Sequence, residues 1–84
     1  MKHATSAALK SLSDLLEQIR AKEHIREKKL GVFYRKSKAF LHFHEDPAGL
    51  FADLSIGVDF ERYAVNTKQE WKVFLAAIDR VLAL

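Results

Sequence analysis

Two short apolar runs, each alternating with polar or ionisable residues, stand on either side of the chain's single proline. The stretch from Lys38 to Leu54 reads KAFLHFHEDPAGLFADL. It has the pattern of a β-hairpin, in which Asp46 initiates the turn, Pro47 fixes a backbone angle within it, and Gly49 permits the exit. With Asp46 to Gly49 as the loop, Glu45 faces Leu50, His44 faces Phe51, Phe43 faces Ala52, His42 faces Asp53 and Leu41 faces Leu54. This register sorts the side chains onto two unlike faces. Leu41, Phe43, Leu50, Ala52 and Leu54 form an apolar face suited to a core. Phe40, His42, His44, Phe51 and Asp53 form a mixed face of aromatic and ionisable groups.

The same reasoning extends the sheet in both directions. Gly31 introduces Val32-Phe33-Tyr34-Arg35, a β-branched and aromatic run, and Lys36-Ser37 is the next turn. Pairing Arg35 with Lys38, Tyr34 with Ala39, Phe33 with Phe40 and Val32 with Leu41 adds Phe33 and Arg35 to the mixed face. Beyond the hairpin, Leu54, Ile56, Val58 and Phe60 keep the period of two. Either one long strand runs through, or a loop at Ser55-Ile56-Gly57 keeps the alternation in phase; the loop is preferred, pairing Leu54 with Val58 and Ala52 with Phe60 and leading to a fourth strand over 58–65. The polar segment 25–29 could be a linker or an irregular edge strand guarded by its lysines, and reads as mostly loop.

Helices flank the strands. Thr5 or Ser6 caps a helix running to about residue 21–23, with Ala8, Leu9, Leu12, Leu15, Leu16 and Ile19 along one stripe; residues 1–4 read as frayed. A second start signal at Ser11-Leu12-Ser13-Asp14 weakens the hold on its first turn. Thr67-Lys68-Gln69-Glu70 is a capping box, and Trp71, Phe74, Leu75, Ile78, Val81 and Leu82 follow on one face. The expected fold is α+β, a single domain over 1–84. It is a two-layer α/β sandwich in the order α-β-β-β-β-α, an antiparallel meander with both helices on one face.

Among 84 residues there is no cysteine, so neither disulfides nor thiolate zinc ligation can hold the fold, and packing must do so. No apolar leader and no run of 18 apolar residues is present, which points to a cytoplasmic protein without membrane contact. The net charge of +3 is unevenly spread. From Arg20 to Lys38 eight residues are basic and two acidic, whereas from Glu45 to Glu61 five are acidic and none is Lys or Arg.

Three candidate sites follow. Phe33, Phe40 and Phe51, with Arg35, His42, His44 and Asp53, would make an aromatic outer face larger than a monomer usually leaves uncovered. A second copy of the chain, a protein partner or a ligand would cover it, and a symmetric dimer is the commonest solution. The basic run, with Lys28, Lys29, Arg35, Lys36 and Lys38 beside Tyr34, suits a nucleic-acid backbone. His42 and His44 point the same way from one strand, with Asp53 opposite, a possible divalent-metal or general-base set; His3 and His24 have no evident reason to lie near them. No phosphate loop, serine nucleophile motif or paired-carboxylate signature is present, and no cofactor is implied. The leading expectation is a small non-enzymatic binding module that self-associates through its sheet as a homodimer. Nucleic-acid binding through 28–38 comes second and a histidine-based metal site or enzyme third.

The stretch GVFYRKSKAFLHF followed by a turn and GLFADL resembles small bacterial α/β proteins and is loosely similar to the MmcQ/YjbR-like family. Lys38-Ala39-Phe40 matches the Lys-x-Phe strand of that family, and the likeness covers Gly31 to Leu54. The longer C-terminal portion of that family has no counterpart here. What the resemblance implies is a sheet protein that binds DNA, and it transfers no functional residue.

Overall fold

Alternation and turn chemistry produce the central hairpin at the expected place. In the computed structural model, which describes residues 2–84, strands β4 (Lys38–Asp46) and β5 (Gly49–Ser55) pair antiparallel from Leu41 opposite Leu54 to Glu45 opposite Leu50. The turn is tighter than a four-residue loop. Asp46 pairs with Gly49, leaving Pro47 and Ala48 between them, and the Asp46 carboxylate accepts the Ala48 N–H at 3.0 Å.

Around this hairpin stand strands β1 (Lys2–His3), β2 (Arg26–Lys29), β3 (Val32–Arg35) and β6 (Phe60–Ala64), and helices α1 (Ser6–Lys10), α2 (Ser13–Arg20) and α3 (Lys68–Leu82). The protein is therefore mixed α+β with an antiparallel sheet, as its sequence implies, but with six strands and three helices among the described residues. The sheet order is β2-β3-β4-β5-β6, and β1 lies beside β4 through Lys2 opposite Glu45 and His3 opposite His44. One buried cluster joins Leu12, Leu15, Leu16 and Ile19 before and in α2 and Phe74, Ala77 and Ile78 of α3 to Leu41, Phe43, Ala52 and Leu54 of the sheet.

Local chemistry explains the added elements. The first helix divides at Ser11-Leu12, where the Ser11 and Ser13 hydroxyls donate to the carbonyls of Ala8 and Lys10 and compete with the helical ladder. Thr5 caps α1 and the Thr67–Glu70 capping box starts α3, both as the sequence indicates. The segment read as mostly loop takes the other form open to it, the irregular edge strand β2, with a register shift between Glu27 and Lys29. Gly31 turns the chain from β2 into β3 at φ +76°, and a Cβ there would stand 2.8 Å from Leu9. Glycine is favoured on both counts.

Two registers differ from expectation, and both redistribute aromatic side chains. Phe33 pairs with Leu41 while Tyr34 still pairs with Ala39, so Phe40 is the extra residue of a β-bulge. Phe33 and Phe40 are consequently core residues, 1% and 3% exposed, and not part of an outer face. Arg35 goes with Phe40: its guanidinium carbon lies 5.9 Å from the ring centroid, and both line a cleft with Val81 of α3. The second difference is at β6, where Ser55 pairs with Phe60 and Ala52 with Tyr63. The loop spans residues 56–59, one residue longer than expected, and the register moves by an odd number, which reverses the faces of β6. Tyr63 now packs on Phe74 with ring centroids 5.4 Å apart, and Phe60 turns out into solvent.

Glu27 ties β2 to both neighbours. Arg20 donates to its two oxygens from Nε and Nη2, and the Gly31 N–H donates to Oε2 at 2.8 Å. Burial pushes the Glu27 carboxyl upward, but these donors outweigh it and hold the group below the usual carboxylate range. A depressed carboxylate contributes stability that is present above its unfolded pKa and is lost as pH falls through the folded value. Glu27→Gln should therefore destabilise the protein by about 1–2 kcal/mol at pH 7. The difference in urea midpoint from the parent should shrink below about pH 4. A difference that stays constant with pH would show that the ionised carboxylate is not what binds Arg20.

Candidate functional site

On the face of the sheet opposite Leu41, Phe43, Ala52 and Leu54, period two places His42 and His44 of β4 and Phe51 and Asp53 of β5. The register of β6 sets Arg62 directly across from Asp53. Arg62 donates to both carboxylate oxygens, Nε to Oδ1 at 2.8 Å and Nη2 to Oδ2 at 2.9 Å. Asp53 is the one buried charged residue among the described residues. The arginine hydrogen bonds hold its carboxyl below the usual range against the opposing effect of burial. A two-pronged partner with matched geometry is what keeps a buried carboxylate ionised.

Asp53 also faces an imidazole, though not the one directly opposite. Its Oδ2 lies 3.1 Å from Nε2 of His44, diagonally across the pair of strands. That carboxylate is the polar group facing Nε2, and it leaves Nδ1 as the ring nitrogen turned away from Asp53. That Nδ1 is buried and has no hydrogen-bond partner, and the same holds for Nδ1 of His42. The two rings meet edge to face with centroids 4.8 Å apart, and Phe60 lies 5.2 Å from His42 on its other side. Burial, reinforced by the neighbouring His44, pushes the His42 imidazole below its ordinary pKa, so it is neutral at pH 7.

His3 completes the cluster, and sequence reasoning missed it. Strand β1 brings it opposite His44, where the two rings stack at 5.0 Å, and its centroid is 5.9 Å from that of His42. The strand is held by the Ala4 N–H donating to the Phe43 carbonyl at 3.1 Å and the Thr5 N–H donating to the Glu45 carboxylate. One ligand nitrogen from each of His3, His42 and His44 lies within 4.8 Å of the other two. A two-residue strand carries no alternation to read, and the only hint was the opposite charge of Lys2 and Glu45.

Of the expected outer-face residues, the structure thus brings together His42, His44, Phe51 and Asp53, adds His3, Phe60 and Arg62, and removes Phe33, Arg35 and Phe40. The three-phenylalanine patch that called for a second copy of the chain is not formed. The basic run is divided as well. Lys28 and Lys36 line one cleft with His24, Arg26 and Tyr34, Lys36 also joins Arg35 and Lys38 in a second, and Lys29 borders a third with His3. In the first of these, Nζ of Lys28 stands 4.8 Å over the Tyr34 ring.

Comparison with family models, with curated proteins and with solved structures gives no match. No helix among the described residues is long and apolar enough to cross a membrane.

If Asp53 is the electrostatic centre of this face, Asp53→Asn removes the charge at nearly constant shape and leaves Arg62 and His44 facing a neutral amide. A loss of about 1–3 kcal/mol in unfolding free energy is expected from urea titration at pH 7. An unchanged midpoint would show that the Arg62 fork contributes nothing.

Proposed function

We propose that this protein is a small binding module rather than an enzyme, and that it works through the outer face of the sheet at His42, His44 and Asp53. The observation that carries this reading is the pair of buried, unpartnered Nδ1 atoms on His42 and His44. A buried polar atom without a partner costs about 1–3 kcal/mol, and a chain selected for folding alone would carry apolar side chains there. Both oxygens of the neighbouring Asp53 are matched by Arg62, so the deficit lies on the imidazoles. Groups kept at a cost to the fold are the ones a ligand satisfies.

The test is to remove the deficit. His42→Leu replaces the ring with an apolar side chain of comparable volume that makes no ion pair in the parent. An increase of about 1 kcal/mol in unfolding free energy is expected. A loss of similar size would assign His42 a structural role and remove the reason for placing function on this face.

One observation favours a second reading, nucleic-acid binding at the cleft that Arg26, Lys28, Tyr34 and Lys36 share. Glu27, the acidic residue within that strand, is turned away onto Arg20 and Gly31, so the cleft keeps its cations uncompensated. The ring of Tyr34 under Lys28 offers a stacking surface. The resemblance of Gly31 to Leu54 to the MmcQ/YjbR-like family supports the same reading. Fluorescence anisotropy with a mixed-sequence single strand should show binding that weakens steeply with salt, and Lys28→Ala with Lys36→Ala should lower the salt slope by about 2. Equal slopes in parent and variant would rule this cleft out.

A further inference from the structure

Resting on the outer face as a binding surface, we propose that His3, His42 and His44 form a site for a divalent transition-metal cation of the zinc type, with Asp53 as the positioning residue behind His44. Three ring nitrogens, one from each residue, already lie within 4.8 Å of one another. Across a tetrahedral zinc ion with bonds of 2.0–2.1 Å, ligand atoms stand about 3.4 Å apart. The contraction needed is small, and the exposed ring of His3, on a strand of two residues, is free to supply it.

The chemistry of the donor set selects the class of ion. All three ligands are imidazoles, which suit zinc, copper and nickel and give magnesium or calcium no reason to bind. Neutral imidazole with a bare lone pair is the form that ligates, and Nδ1 of His42 and of His44 are buried without any partner to compete for it. Behind His44, the carboxylate of Asp53 lies 3.1 Å from Nε2, the carboxylate–histidine arrangement that fixes which nitrogen faces the metal. Asp53 itself is not a ligand in this scheme. Both of its oxygens accept from Arg62, so the set expected from sequence, His42, His44 and Asp53, becomes His42, His44 and His3.

Charge and access agree with this assignment. Asp53 offsets Arg62, its ion-pair partner across the strands, so that this pair adds no net positive charge to the face. Phe60 walls the site beside His42, and three protein ligands leave a fourth tetrahedral position for water or an outside ligand. The ion would also bind β1 to β4. His3 lies on the first described strand and His42 and His44 on the central one, so metal ligation ties the N-terminal segment to the sheet.

The untagged full chain, stripped with a chelator, is titrated with zinc and followed by calorimetry and by the imidazole and amide NMR signals. One zinc per chain is expected, with the largest shifts at His3, His42 and His44, slower exchange of the Ala4 and Thr5 amide protons, and no response to magnesium. His3→Gln, His42→Gln and His44→Gln should each weaken zinc at least tenfold, and His24→Gln, outside the cluster, should leave it unchanged. Asp53→Asn should weaken zinc about 10- to 100-fold and alter the visible spectrum of the cobalt(II) form, a readout that a purely structural role would not move. Zinc that binds His3→Gln as tightly as the parent, or that leaves the imidazole signals in place, overturns the proposal. If zinc fails while His42→Leu still gains stability, the face binds something other than a metal. If both fail, the reading of the face falls with the metal.

Discussion

Strand β4 is hydrogen-bonded along both edges, to β3 and β1 on one side and to β5 on the other, and every other feature takes its position from that double pairing. A strand so held cannot slip by one residue without exchanging Leu41 and Phe43 for His42 and His44 in the core. The alternation of its sequence therefore fixes the whole sheet. Where the alternation is broken, at Phe40, the chain inserts a bulge rather than exposing a large ring, and two consecutive residues, Phe40 and Leu41, are buried. The cost is one irregular ladder position. The gain is a core that takes in Phe33 as well.

A second constraint acts from the polar side. Hydrophobic alternation alone would pair Ala52 with Phe60, and that register sets Asp53 opposite Asp59, two like charges across a strand pair. The register adopted sets Asp53 opposite Arg62 and sends Tyr63 inward onto Phe74. One matched ion pair thus decides which of two aromatic residues is core and which borders the histidines. The local geometry agrees, since Gly57 at φ +126° lies in the longer loop and the Ile56 N–H donates to the Asp59 carbonyl.

These two devices mark the limit of what the sequence reveals. The hairpin register, the Thr67 capping box and the membership of His42, His44, Phe51 and Asp53 in one face follow from period, turn residues and capping chemistry, all local signals. Phe33 and Phe40 depart from the expected face because the register shift between β3 and β4 leaves no trace in a period of two. Apolar alternation alone turns Phe60 inward, and it is the choice of Arg62 over Asp59 as the partner of Asp53 that turns it out. The edge strand β2 has no apolar face to give it a period, and its place is set by Glu27 reaching Arg20 and Gly31. His3 could not be found from spacing at all. Its neighbours on the face are some forty positions away along the chain, and only the pairing of β1 with β4 joins them.

The chain from Arg62 through Asp53 to His44 is what gives the outer face its character, because it sets the Asp53 carboxylate 3.1 Å from Nε2 of His44 while Nδ1 has no protein partner. The tautomer reports this directly. Long-range proton–nitrogen correlation spectra of the chelator-treated protein at neutral pH should show His44 as the Nε2–H form, with Nδ1 at the position of an unprotonated, non-bonded nitrogen. A proton on Nδ1, or two forms in rapid exchange, would contradict the orientation of Asp53 and the function placed on this face.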